Sequence, residues 1–208
     1  MPRNIKKDQQ NREERTAQIL EAAQHVFARR GLLTKIQDIA EEAGLSHGHI
    51  YNYFASKEEI LLKIIDDGQS LYEKFLLSTR DLPTNALEKL RLLLSKYMLS
   101  DRTAEIYLVI LQAQATDLLP QEAIAKMGEK ARSNLVILTE IIEQGQREGL
   151  IRQEDSVVLT TLFLTLMQNI SLMSLRGFAP LQVADMEMAL RFGKLMLTKE
   201  LGIGKICS

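Results

Sequence analysis

The 208-residue chain has a single cysteine, Cys207, which excludes a disulfide framework and a multi-cysteine zinc site. Its three histidines, His25, His47 and His49, all fall in the first quarter, so no imidazole beyond residue 49 can act as a base or metal ligand. His47 and His49 are two apart, on different sides of a helix, which suits chelation poorly. A glycine-rich phosphate loop is also missing. With no activated nucleophile, metal set or cofactor loop, an enzyme is not expected, and neither is a metal or cofactor. Proline is confined to positions 2, 83, 120 and 180 and alternating β-branched runs are absent, which argues against sheet. Residues 1–15 are polar and charged rather than basic then apolar, so no secretory leader is expected and a cytoplasmic location is. The one long apolar stretch, residues 157–175, is interrupted by Thr160, Thr161, Thr165, Gln168, Asn169, Ser171 and Ser174. It reads as a helix buried in protein, not as a membrane span.

What is present is helix. A hydrophobic fraction of 46% supplies a core. The apolar spacing predicts an all-α fold of about nine helices, over about 11–30, 36–43, 46–54, 56–78, 84–100, 102–116, 120–148, 155–176 and 181–201. The stops and caps are local. Gly31, Gly44 and Gly149 end helices, Ser46, Ser56 and Asp101 occupy cap positions, and Pro120 sits in a first turn. Net charge is −1, but residues 1–57 carry nine Lys/Arg against seven Asp/Glu, and the remainder seventeen against twenty. The sign of this asymmetry suits a nucleic-acid contact at the N-terminal end.

Residues 36–54 place two short apolar helices around the connection Gly44-Leu45, the arrangement of a helix-turn-helix. Ile50 and Phe54 lie four apart and share the inward face, which leaves His47, Gly48, His49 and Asn52 pointing outward. Asn52 can pair with adenine and the imidazoles can meet base edges. Gly48 costs about 1 kcal/mol of helix propensity relative to Ala and would admit close backbone approach. Tyr51, Tyr53, Thr34, Lys35 and Lys57 flank this face and suit phosphates. Taken singly, Tyr51 reads equally as a core residue and the histidines as solvated surface. The basic residues Arg3, Lys6, Lys7, Arg12 and Arg15 read as a flexible arm over 1–12 and its margin, with a minor-groove contact as the alternative.

The stretch Ile19-Leu20-Glu21-Ala22-Ala23, Phe27, Gly31, Asp38-Ile39-Ala40, Ala43-Gly44-Leu45-Ser46, Gly48, Ile50-Tyr51, Tyr53-Phe54, Ser56-Lys57-Glu58 and Leu61 resembles the DNA-binding domain of the TetR/AcrR family of bacterial transcriptional regulators. The resemblance covers about residues 15–65. It implies a homodimer that holds double-stranded DNA at a palindromic operator, and a larger C-terminal domain for a small-molecule effector. It places Ser46, His47, Gly48, His49, Tyr51 and Asn52 at DNA contacts, and Thr34, Tyr53 and Lys57 at phosphates. Two departures stand out: the connection after Gly31 is one residue short and lacks an aromatic, and Lys35 replaces a common Thr or Ser.

The expected division is thus a DNA-binding domain over 1–56 and an effector and dimerisation domain over 57–208. Candidates to line an effector cavity are Tyr97, Met98, Tyr107, Gln112, Met127, Phe163, Met167 and Gln168, with Gln114 and Leu138 beside them: apolar walls with a few polar groups. For any one of them taken singly, ordinary core is the better default. Two stripes on the last two helices suit a two-fold interface: Val157, Thr161 and Leu164 (continuing to Gln168), then Met186, Leu190, Gly193 and Leu197. The resulting expectation is a repressor that leaves its operator when a small, largely apolar effector of unknown identity binds. A ligand-independent or architectural DNA-binding dimer, or an activator, fits the same residues.

Overall fold

The computed structural model describes residues 5–98 and 100–175, and these form eight α-helices with no strand among them. They are α1 (Ile5–Arg30), α2 (Ile36–Glu42), α3 (His47–Ile50), α4 (Lys57–Arg80), α5 (Ala86–Met98), α6 (Asp101–Gln114), α7 (Gln121–Arg147) and α8 (Ser156–Leu175). The expected ninth helix, and with it Met186, Leu190, Gly193 and Leu197, lies outside the described residues. No described helix is long and apolar enough to cross a membrane.

Two compact units divide the chain, one running to Gly68 and including Glu105–Met127, the other made of Gln69–Ala104 and the chain from Gly128. Residues 57–68 and 105–127, which the sequence reading assigned to the effector domain, therefore belong to the unit that holds α1–α3. In that first unit, Ile19, Ala23, Val26 and Phe27 of α1 recur at helical spacing and are buried with Ile39, Ile50, Phe54, Ile60, Leu61, Ile64, Val109 and Ala113. Each large side chain so buried contributes about 1.5–3 kcal/mol. A polar contact adds to this face: Glu105 of α6 accepts from Gln24 Nε2 at 3.0 Å and meets His25 Nδ1 at 2.8 Å.

The turn between α2 and α3 is set by Gly44, at φ +65°. A Cβ there would meet nothing within 4 Å, so it is the backbone angle and not space that calls for glycine. Leu45 N–H donates to Ala40 O at 2.8 Å and Gly44 N–H to Glu41 O at 3.1 Å, the paired bonds of a Schellman stop.

In the second unit Leu76, Leu90, Leu93, Leu94, Leu138, Ile141, Ile142, Phe163 and Met167 form the core. Buried Lys89 donates to Arg80 O, at the end of α4, and to Gln144 Oε1 at 2.8 Å. Glu148 accepts from Ala86 N–H at 2.9 Å and from Gln144 at 2.6 Å. The Ala86 N–H bond is the main reason that the Glu148 carboxyl is held below the ordinary carboxylate range.

Several local expectations need correction. Residues 5–12 are helical rather than a flexible arm, and Gln9–Glu13 and Gln10–Glu14 pairs run along that turn. Ser100, not Asp101, caps α6, because its hydroxyl accepts from Thr103 N–H at 3.2 Å. Asp155 caps α8 through Val158 N–H at 2.9 Å. Although apolar round much of its circumference, α6 is not buried all round: Val109 and Ala113 are buried, whereas Leu111 is exposed. On α8 the hydroxyls of Thr160, Thr161 and Thr165 bond back one turn, so these three polar interruptions of that apolar helix are satisfied within it.

Candidate nucleic-acid interface

The recognition segment is built from a short helix and the turn that continues it. α3 spans four residues, His47–Ile50, and Tyr53 and Phe54 N–H then both donate to Ile50 O, at 2.9 and 3.1 Å. Ile50 is fully buried and Phe54 nearly so. This anchors one face and turns the other outward. Ser46, His47, Gly48, Tyr51 and Asn52 are exposed, and His49 and Tyr53 are half-buried. Ser46 holds the position before α3, but its hydroxyl makes no cap hydrogen bond, contrary to its expected capping role.

Two aromatic pairs brace the outward face at the i,i+4 spacing. His47 meets Tyr51 edge-on with centroids 5.2 Å apart, and His49 stacks on Tyr53 at 5.6 Å with 16° between planes. Tyr51 is 49% exposed, which removes the core reading of that residue. Around Gly48 a Cβ would meet nothing within 4 Å and no positive φ is required, so the protein's own packing gives no reason for glycine there.

The flanking candidates converge on the α1–α2 connection. Thr34 Oγ1 donates to Gly31 O at 3.1 Å and Lys57 Nζ donates to Leu32 O at 2.8 Å. Lys35 is exposed, and its backbone N–H is taken by Asp38 Oδ2 at 2.7 Å. Glu59 accepts from Ala55 N–H at 2.6 Å, and Ser56 Oγ accepts from Glu59 N–H at 3.1 Å, which fixes the start of α4 and with it Lys57. One residue that the sequence reading assigned to the flexible arm joins the site. The Arg12 guanidinium lies 5.3 Å from the Tyr53 ring centroid and its Nη2 is 3.5 Å from Asn52 O. The signal for it was the Gln/Glu spacing that extends α1 towards the N-terminus.

The other candidate residues divide between the units. Tyr107, Gln112 and Met127 belong to the first. Gln112 Oε1 lies 3.7 Å from where a Gly31 Cβ would be, and Met127 is buried in that core. Burial raises the Tyr107 hydroxyl above its ordinary pKa. Gln114 is exposed. Phe163 and Met167 are buried in the second core and Gln168 is half-buried. Tyr97 and Met98 end α5, and their side chains lie outside the described residues. Two buried polar atoms of the second unit, Thr79 Oγ1 and Asn134 Oδ1, have no hydrogen-bond partner among the described residues, and neither residue was a sequence candidate. Of the interface stripe, Val157 and Thr161 are exposed, whereas Leu164 packs against the second core. The exposed apolar face of α8 is carried by Val157, Val158, Leu162 and Met173.

Comparison with known proteins accounts for this arrangement. Residues 19–64 match the family model described as bacterial regulatory proteins, tetR family. Over 60 residues the chain is 47% identical to the HTH-type transcriptional regulator YfiR of Bacillus subtilis, covering 28% of this chain and 29% of that protein. It is 30% identical over 155 residues to the HTH-type transcriptional repressor KstR2 of Rhodococcus jostii, covering 72% of this chain and 74% of that one. The chain belongs to the TetR family. Its fold is also similar to that of AibR, solved in complex with isovaleryl coenzyme A and operator DNA, at a TM-score of 0.70 and 27% identity over 88% of this chain and 97% of that one. As a TetR-family member the protein is a DNA-binding transcriptional regulator and not an enzyme, and the matched residues contain α2, the Gly44 turn, α3 and Lys57. TetR regulators bind operator DNA and small molecules and act as dimers.

Proposed function

We propose that this TetR-family protein is a repressor that reads a palindromic operator with one recognition segment per subunit and releases it on binding a small, largely apolar effector. The observation that carries the reading is the outward face of residues 46–53, polar and aromatic, set on an anchor of buried Ile50 and Phe54. His47, His49 and Asn52 read base edges, and Gly48 lets the backbone approach. Ser46, Thr34, Lys35, Tyr51, Tyr53 and Lys57 meet the backbone and fix register. For Thr34 this means exchanging its bond to Gly31 O for a phosphate oxygen. The ammonium of Lys57 has three donors and keeps its bond to Leu32 O while reaching a phosphate.

The effector acts by preferring a state in which the two recognition helices are not about 34–36 Å apart, the separation that two half-sites one turn apart require. Phe163, Met167 and Gln168 supply the effector wall in the second unit, and buried Asn134 of the same unit is a candidate polar group for it. The exposed apolar face of α8 supplies the subunit contact. AibR, bound to isovaleryl coenzyme A, makes acyl thioesters of coenzyme A the first compounds to try, their acyl chain being the small apolar part that this wall would take.

The test is selection of a binding site from random duplex DNA by the full-length protein, followed by titration of the complex with isovaleryl coenzyme A and longer acyl thioesters. A two-fold symmetric site, released by one of these at a saturable concentration, supports the reading. A site without symmetry overturns the operator model. Thioesters that bind the protein and leave operator affinity constant overturn the release mechanism.

A further inference from the structure

We propose that Arg12 is a positioning residue for base reading: it holds Tyr53, and through Tyr53 holds His49, from the fixed frame of α1. The inference rests on the reading of residues 46–53 as the DNA-contacting face. Arg12 lies inside α1, seven residues from its start, on the helix that buries Ile19, Val26 and Phe27 in the same unit. It is therefore presented by a helix and not by a tail. Its guanidinium makes two contacts with the recognition segment, the Tyr53 ring at 5.3 Å and Asn52 O at 3.5 Å.

Both contacts have a physical rationale. A planar cation over an aromatic face is attracted by the ring quadrupole. Carbonyls at the end of a short helix lack intrahelical partners and carry partial negative charge, which a guanidinium complements. Tyr53 is then restrained from three directions: it packs on the first core, stacks on His49 and lies under Arg12. His49 is also half-buried against this column, so its ring orientation depends on Tyr53 staying in place. α3 has only four residues, too few to hold its side chains by helical packing alone. A brace from α1 supplies what that short helix lacks. Lysine substitutes poorly, because its compact ammonium cannot meet the ring and the carbonyl together as the broader guanidinium does.

The experiment uses the full-length protein on its selected operator, with Arg12→Ala, Arg12→Lys, Tyr53→Leu and the double variant Arg12→Ala/Tyr53→Leu. Affinity is measured against salt concentration and against operators changed at single base pairs. For Arg12→Ala the expectation is a loss of about twofold to fivefold per recognition segment, from the strength of an exposed cation–π contact. The salt slope stays as in the parent, and discrimination falls at the base pair facing His49. Arg12→Lys fails to restore it, and the double variant matches Tyr53→Leu alone. A salt slope reduced by about one per subunit, with rescue by Lys, makes Arg12 a phosphate contact and overturns the proposal. Additive losses in the double variant, or an Arg12→Ala protein that discriminates like the parent, overturn it as well. Arg12 is exposed, so unfolding midpoints of all variants serve as the control for the fold. If the unaltered protein discriminates no sequence, it is the base-reading assignment that fails, and the two failures are distinct.

Discussion

Adding one methyl group at Gly68 sets two energies against each other. Gly68 lies within α4, where exchanging Gly for Ala gains about 1 kcal/mol of helix propensity. A Cβ at this position, however, would stand 2.6 Å from Ile106 Cγ2 and 3.4 Å from its Cδ1. Cγ2 is fixed to a branched Cβ, so it cannot swing aside as the end of a long side chain would. Overpacking of this kind costs about 1–3 kcal/mol. Gly68→Ala should therefore lower stability by a net amount between about zero and 2 kcal/mol. In an Ile106→Ala background the clash is gone, and the same substitution should raise stability by about 1 kcal/mol. Urea unfolding of the four proteins in this cycle measures the coupling, expected at about 1–3 kcal/mol. Gly48→Ala is the matched control: a Cβ there meets nothing within 4 Å, so it should not destabilise the fold, while it should weaken operator binding. If Gly68→Ala stabilised both backgrounds equally, the close approach of Gly68 and Ile106 would be refuted.

Other outcomes follow from the same contacts. Lys57→Ala should lower stability by about 1 kcal/mol through loss of the bond to Leu32 O. It should also flatten the salt dependence of DNA binding by about one phosphate per subunit; an unchanged slope would leave Lys57 as a brace only. Glu148→Gln should be less stable than the parent at neutral pH, with the difference closing in acid. The folded-state pKa of Glu148 is depressed, so its contribution is present above the ordinary carboxylate range and lost as pH falls through it towards the folded value. Unfolding curves that stay equally separated down to acid pH would contradict this. Asn134→Leu should raise the stability of the effector-free protein by about 1–3 kcal/mol, since it removes a buried oxygen with no partner among the described residues. Destabilisation would mean that ordered water or another group satisfies that oxygen.

The parts of the fold legible in the sequence are those decided locally. The spacing of Ile50 and Phe54 implied a shared inward face, and both are buried. Gly44 marked the turn because only glycine takes its backbone angle cheaply. What escaped notice was decided at long range. Residues 5–12 have too few apolar side chains to register as a periodic helix, yet Gln–Glu pairs and the reach of Arg12 to Asn52 and Tyr53 support them as one. In the sequence Tyr107, Gln112 and Gln114 of α6 were candidates to line an effector cavity. In the structure that helix packs Val109 and Ala113 into the core of the unit that holds α1–α3, and brings Gln112 beside Gly31. Nothing in the spacing of α6 alone could say which core it would join. The unpartnered oxygen of Asn134 is likewise invisible until the helices around it are placed.

The claim at the centre of this account is that the outward residues of the recognition segment read DNA sequence. The direct measurement compares the parent and Asn52→Ala on the selected operator and on a set of single-base variants. Asn52 is exposed at the end of the segment, with its side chain available to a base. Asn52→Ala should lose discrimination at one base pair in each half-site, by about 1–3 kcal/mol, and keep it elsewhere. Equal weakening on every sequence would contradict it and move Asn52 to the DNA backbone.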